Sequence, residues 1–418
     1  MIEPKISGIY QLTISSKFSS IVMQLIKKFE NNFTKSFFTR YRTILFIWIG
    51  ISVFMGVINT LSGHFHNNYK IYKYVFLNIL EQFPLYQQRP GLFDDLNHYG
   101  PIFGIIMAPF ALLPDVLGGT LWLVMLALVL FYAIKELPLN PWQHMAIFLI
   151  CTNSLIIAHA NVQFNTATVA LIILSFTNIR KEKDIWAAFM IMLGTFVKLY
   201  GIVGFAFFFF SKHKPKLLLW SAIWGIVFFV LPMFISSPEF IIDQYKGWFN
   251  ELVIKNQGNG TALQQNVSFL GMIHKMTGNY EFSNLPILLG ALLLFALPYL
   301  RISEYRHNWF QLLTLASVLI FIVLFSTGSE PNSYIIAITG VAIWFVIQPR
   351  PYTTLVLFLL VFGIILSSFA PSDLIPRSFY FKVIGPYALQ ALPCTIIWFV
   401  IIYELLFRKS DKYLTDVK

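Results

Sequence analysis

Residues 88–101 read Gln-Arg-Pro-Gly-Leu-Phe-Asp-Asp-Leu-Asn-His-Tyr-Gly-Pro, which sets two carboxylates, Asp94 and Asp95, just ahead of an apolar run. A carboxylate at the mouth of an apolar groove suits the general base for an alcohol, because partial burial raises its proton affinity while the acceptor still reaches it. A solvated pair in a loop reads the same way. Glu330, within Ser-Thr-Gly-Ser-Glu-Pro-Asn-Ser-Tyr at 326–334, is a third carboxylate between two apolar stretches. It could bind acceptor hydroxyls, serve as the base, pair with a cation, or be an ordinary turn residue. The cation is Lys198, inside Phe196-Val-Lys-Leu-Tyr200 in the middle of an apolar region. A lysine there is costly unless it faces a partner or a wet cavity, and its ammonium suits a lipid phosphate. Snorkelling or a backbone carbonyl contact is the alternative.

Neutral hydrogen-bonding groups surround these charges. Asn161, Gln163 and Asn165 open a predicted helix, and Gln264, Gln265, Asn266 and Ser268 lie near Trp248. Amides bind sugar hydroxyls without adding charge, and they also cap helices or bind water. The chain carries no Walker-type glycine loop, no zinc-spaced His or Cys cluster and no Gly-x-Ser-x-Gly elbow, so nucleotide hydrolysis and serine hydrolase chemistry lack support.

These residues must be positioned by membrane helices. With 57% hydrophobic and 12% charged residues over 418 positions, the apolar surface exceeds what one water-soluble core covers. The expected fold is all-α, with about twelve transmembrane helices plus re-entrant or juxtamembrane pieces. Threaded that way, 21 of the 30 lysines and arginines fall in inward segments and 8 in outward ones, leaving Lys198. The net charge of +11 is therefore a positive-inside signal with some attraction to anionic lipid, and not a nucleic-acid footprint.

Three parts are expected: a cytoplasmic amphipathic segment at 1–42, one transmembrane domain at 43–407 and a cytoplasmic tail at 408–418. The first part rests on Phe18, Val22, Leu25, Phe29, Phe33 and Phe37, three or four apart among lysines, as in a helix lying on a membrane surface. No cleavable leader is evident, and the run from Thr43 would act as an uncleaved anchor. Residues 62–100 and 236–284 form the long outward segments, the first with a helix predicted at 68–80. Residues 101–114 are too short for a core about 30 Å thick and read as a juxtamembrane or re-entrant piece on the outer side. Residues 185–211, between two inward basic runs, require two short helices or a re-entrant hairpin with Lys198 at its apex. Cys151 and Cys394 read as packed thiols.

Tyr99-Gly-Pro-Ile-Phe, Met107-Ala-Pro-Phe-Ala-Leu-Leu-Pro114, Asn161-Val-Gln-Phe-Asn165, Phe196-Val-Lys-Leu-Tyr200 and Leu263-Gln-Gln-Asn-Val-Ser-Phe-Leu-Gly271 follow one another in an order that resembles the polyprenyl-phosphate-mannose-dependent α-mannosyltransferases of bacterial membranes. The resemblance spans about Leu61 to Tyr334. It implies a type C glycosyltransferase fold and a lipid-linked sugar donor entering laterally. It also implies an inverting displacement on the outer face of the cytoplasmic membrane, while the count of crossings and the positive-inside threading put both termini in the cytoplasm. Relatives place an acidic base in an Asp-then-Tyr pattern early in the first loop. Here Asn67 and Asn68 precede Tyr72, and asparagine takes no proton.

Asp95 is accordingly the expected base, with Asp94 and Glu330 as alternatives, and Lys198 the expected ligand of the donor phosphate. Asn68, Tyr72, Tyr99, Gln163, Asn165, Asn266 and Tyr334 are the expected sugar or acceptor contacts. The partners are then a polyprenyl-phosphate sugar, a glycolipid or glycan acceptor and membrane lipid. No metal or other cofactor is expected, since the leaving group is already a phosphate anion. A lipid-linked glycan flippase or transporter and a non-catalytic glycolipid-binding subunit are the competing readings. Transport is disfavoured by the absence of a sequence repeat and by candidate polar groups clustering on one face.

Overall fold

In this computed structural model the described residues are 24, 41–61, 66–259 and 265–408. Apart from Gln24, the predicted interfacial helix at 18–37 lies outside them, as do Gln264 and the tail beyond Arg408. Long apolar runs without interior charge fold into α1 (Tyr41–Leu61), α4 (Asp115–Lys135) and α5 (Pro141–Ala160). Helix α5 starts sharply because Asn140 and Gln143 form a reciprocal capping box ahead of Pro141. The remaining helices are α2 (His66–Glu81), α3 (Ile102–Ala111), α6 (Asn165–Arg180), α7 (Asp184–Val197), α8 (Lys214–Val230) and α9 (Pro238–Gly258). They are followed by α10 (Phe269–Thr277), α11 (Leu285–Ala296), α12 (Asn308–Leu324), α13 (Tyr334–Val346) and α14 (Thr354–Gly363). Arg377–Phe379 is a single turn, and α15 (Ala391–Phe407) comes last. No strand occurs among the described residues.

The helices α1, α4 and α5, with α8 prolonged by its 3₁₀ end, are long and apolar enough to cross a bilayer. A pair bent by 51°, Arg377–Tyr387 with α15, makes a fifth. The expectation of about twelve crossings exceeds this because the other apolar helices run only 10–17 residues. Apolarity reports burial without saying what does the covering. Every residue of α13 is buried, and its neighbours α12, α5 and α6 enclose it in protein. On α1, by contrast, Phe46, Phe54 and Leu61 are exposed, a surface suited to lipid.

The interior is aromatic-rich. Near the chain start Trp48, Phe131 and Phe148 pack together, with Phe131 and Phe148 stacked at 4.6 Å. A second group joins α2, α3, α4 and the turn before α6. Tyr99 stacks on Phe103 at 4.5 Å, Tyr72 meets Phe103 edge-on, and Trp122 lies along Phe164. This second group forms a rigid seat beside the site.

Candidate active site

Lys198 sits at a break in the backbone. Helix α7 ends at Val197, Lys198 is extended at φ −152° and ψ 112°, and a 3₁₀ stretch, Leu199–Phe210, runs back. The two arms cross at Gly194 and Gly201, where a Cβ on Gly201 would lie 2.2 Å from the Gly194 carbonyl carbon. Such an approach admits only glycine. Of the expectation for 185–211, two short helices or a re-entrant hairpin, the structure shows two short helical arms meeting at Lys198.

The loop from Asp94 docks on that apex. Gly100 N–H donates to Val197 O at 3.1 Å, and a Cβ on Gly100 would meet Phe196 O at 2.1 Å. Asn97 braces the turn by accepting from Tyr99 N–H and donating to Tyr99 O, each at 3.0 Å. Tyr86 donates to the same carbonyl, and Trp248 of α9 donates from Nε1 to His98 O at 3.0 Å. The loop, the two arms at Lys198 and α9 therefore hold each other.

Together they enclose a cavity of about 290 Å³, near the small end of ligand sites. Lys198, Asp95, His98, Lys255 and Glu330 bring charge or titratable groups to its wall, amid amides and the rings of Tyr72, Tyr99 and Tyr200. Lys198 Nζ donates to Asn165 Oδ1 at 3.1 Å and lies 5.1 Å from the centre of the Tyr200 ring. Asn165 Nδ2 in turn donates to Ser333 Oγ at 3.4 Å, which also accepts Glu330 N–H at 3.2 Å. The lysine is thereby tied to the Glu330 loop through neutral groups, and among the described residues no ion pair of 4 Å or less joins it to a carboxylate. Among the described residues no three of His, Cys, Asp and Glu converge as metal ligands would.

His98 is poorly satisfied. Its Nδ1 lies 3.1 Å from Glu251 Oε1, off the line a hydrogen bond needs, and neither ring nitrogen has an aligned partner. Burial first, then the nearby Lys255 and Lys198 charges, pushes the imidazole down to about 4 against the opposing pull of Asp95. Burial raises the Glu251 carboxyl.

A sequence profile described as Glycosyltransferase family 87 matches residues 97–327, more than half of the chain. The chain belongs to glycosyltransferase family 87. The match begins within the docking loop, includes the Lys198 hairpin and α9, and ends at Thr327 on the cavity wall. No curated protein matches the chain. This family 87 glycosyltransferase is therefore a membrane transferase whose cavity lies largely within the matched region.

The transferase gathers Asn68, Tyr72, Asp95, Tyr99, Gln163, Asn165, Lys198 and Glu330 into one cavity wall. Asp94 stands outside it, exposed, its backbone N–H donating to Asn67 Oδ1. Asn266 and Tyr334 are also outside, and both serve the loops. Asn266 adopts φ +52°, a value asparagine tolerates, and accepts from Ser268 Oγ; Tyr334 donates to Val267 O at 2.9 Å. Asn68 donates from Nδ2 to Asn161 O at 2.7 Å, binding α2 to the turn before α6.

Sequence reasoning missed His98, Glu251, Leu252, Lys255, Asn256 and Asn259. The signal was present: positions 248, 251, 252, 255 and 259 recur at helical spacing. That period puts Lys255 of α9 on the cavity wall, while Trp248 and Glu251 on the same face reach His98.

Proposed function

We propose that this glycosyltransferase moves a monosaccharide, mannose or another hexose or pentose, from a polyprenyl-phosphate donor to a lipid-linked or cell-envelope glycan acceptor. The reading includes a type C fold and a site on the outer face of the cytoplasmic membrane. It rests on the Lys198 ammonium, held by Asn165 without a direct carboxylate partner, in a cavity of amides and tyrosines that also receives Asp95 and Glu330. A cation held by a neutral amide keeps its charge available for phosphate.

In the displacement, Asp95 takes the proton of an acceptor hydroxyl as its oxygen bonds to the anomeric carbon from the face opposite the donor phosphate. The carbon–oxygen bond to that phosphate breaks, and the electron pair leaves on polyprenyl phosphate. Lys198 stabilises the charge developing there. Glu330 and the amide of Gln163 orient sugar hydroxyls, while Asn165, bonded to Lys198 and Ser333, directs the ammonium.

The test is transfer of label by the full chain in nanodiscs, using a panel of polyprenyl-phosphate sugars and a lipid extract of the source membrane. Asp95→Asn should slow transfer roughly 10²–10⁴-fold, the usual worth of a positioned base. Asp94→Asn should leave transfer near wild type. Full activity in Asp95→Asn with loss in Glu330→Gln moves the base to Glu330, and no transfer from any donor overturns the enzyme reading. Asn68, standing where relatives carry an acid, favours a non-catalytic glycolipid-binding subunit as the second reading, which predicts donor retention without turnover.

A further inference from the structure

A second cavity, of about 460 Å³, lies at the other end of three elements that reach the first. Helix α6 runs from Asn165 at the first cavity to Arg180 at the second, 16 residues and therefore about 24 Å. The 3₁₀ arm runs from Leu199 to Phe210 between the same two sites, and α12 starts beside the second and ends near the first. The separation approaches the thickness of a bilayer's hydrocarbon core, which puts the second cavity near the opposite surface.

Four cations, Arg180, Lys212, Lys214 and Arg306, line this cavity against one carboxylate, Glu182. Glu182 is already paired with Lys212. Arg180 donates to the neutral amides Asn308 Oδ1 and Gln311 Oε1 and lies 5.6 Å from the centre of the Phe176 ring, and Lys214 donates to Ser211 O. Nearby carboxylates face elsewhere: Asp184 lies 3.2 Å from His213 Nδ1, while Glu304 lies within 3.1 Å of Arg301 and His307. Among the described residues no carboxylate forms an ion pair with Arg180, Lys214 or Arg306, so three cations converge without one to neutralise them. Phe209, half-exposed, extends the wall as an apolar aromatic surface, and Ile302, at the start of the 3₁₀ turn Ile302–Arg306, is exposed.

We propose that this cavity binds the phosphate headgroup of an anionic membrane phospholipid. Phosphate chemistry answers the three cations, and the exposed Phe209 surface answers the acyl chain that a free phosphate lacks. The bound headgroup would join the end of the 3₁₀ arm to the start of α12, two elements that also frame the Lys198 cavity.

The test uses the full chain in nanodiscs of phosphatidylcholine alone or mixed with phosphatidylglycerol, then extracted into detergent, with retained lipid counted by native mass spectrometry. Wild type should keep phosphatidylglycerol. The pair Lys214→Gln and Arg306→Gln should weaken its retention roughly 30-fold, about fivefold per cation removed near a membrane surface. The pair Lys183→Gln and Lys216→Gln removes two exposed cations from the same end but none from the cavity wall, and should retain it. Equal loss in both pairs would mean diffuse attraction only and would overturn the site, as would no loss in either. Inorganic phosphate that raises the melting temperature in detergent and displaces the lipid at equal concentration would overturn the lipid occupant in favour of a soluble phosphate.

Discussion

Lys198 Nζ donates to Asn165 Oδ1 across 3.1 Å, joining the break in the apolar hairpin to the first residue of α6. The bond fixes where the one cation at the hairpin apex points. Lys198→Gln should lower sugar transfer roughly 10²–10³-fold, the range for removing a charge-stabilising donor. Asn165→Ala leaves the charge but frees its direction, and should cost about tenfold, as for one hydrogen bond to a charged group. Steady-state transfer in nanodiscs measures both, and an Asn165→Ala loss as deep as that of Lys198→Gln would show that the amide itself contacts substrate.

Gly100 has no room for a side chain, since a Cβ would press on Phe196 O at 2.1 Å and Trp248 at 3.0 Å. Gly100→Ala should destabilise the protein by about 1–3 kcal/mol, as overpacking does, and should lower transfer by shifting Asp95 relative to Lys198. Gly50→Ala is the matched control, with nothing within 4 Å of the added Cβ. Detergent melting curves should separate the two variants, and equal melting would show that the loop yields without strain.

The hairpin and the docking loop were legible because they depend on local signals. Lys198 is a charge in an apolar run, and Gly-Pro at 100–101 ends a polar segment. The helix predicted at 68–80 runs His66–Glu81, because its tyrosines and phenylalanines keep helical spacing. What covers an apolar run was not legible, so α13, sheathed in protein, was counted among about twelve crossings on apolarity alone. Nor was the lid over the cavity, because Lys255 and Glu251 gain meaning only when α9 folds back across His98. Asn266 and Tyr334 misled in the other direction, since polar groups in a matching motif can hold a loop rather than a ligand.

The two ends of α6 should open to opposite sides of the membrane. Cys151 and Cys394 are buried, so a single introduced cysteine will dominate labelling. In intact cells, Asp95→Cys should react with an impermeant maleimide. Arg306→Cys should react only after permeabilisation. Labelling of both from one side would place the two cavities on the same face and remove the membrane-spanning role of α6.

His98 sets an acid limit on stability. The folded protein keeps the imidazole neutral down to about pH 4, while an unfolded histidine takes a proton near 6.5. Stability from this site is therefore full above about pH 6.5 and is lost as pH falls toward 4, because the unfolded chain then binds the extra proton. Glu251 works against this, since burial raises its folded-state proton affinity and protonation favours the folded form. His98→Gln keeps a neutral polar side chain and removes only the first effect. Melting temperatures followed from about pH 7 to about pH 4 should fall more steeply in wild type than in His98→Gln, by the equivalent of roughly 1–3 kcal/mol. Parallel curves would mean that the ring accepts its proton in the folded state, with Glu251 as the partner that the 3.1 Å approach already provides.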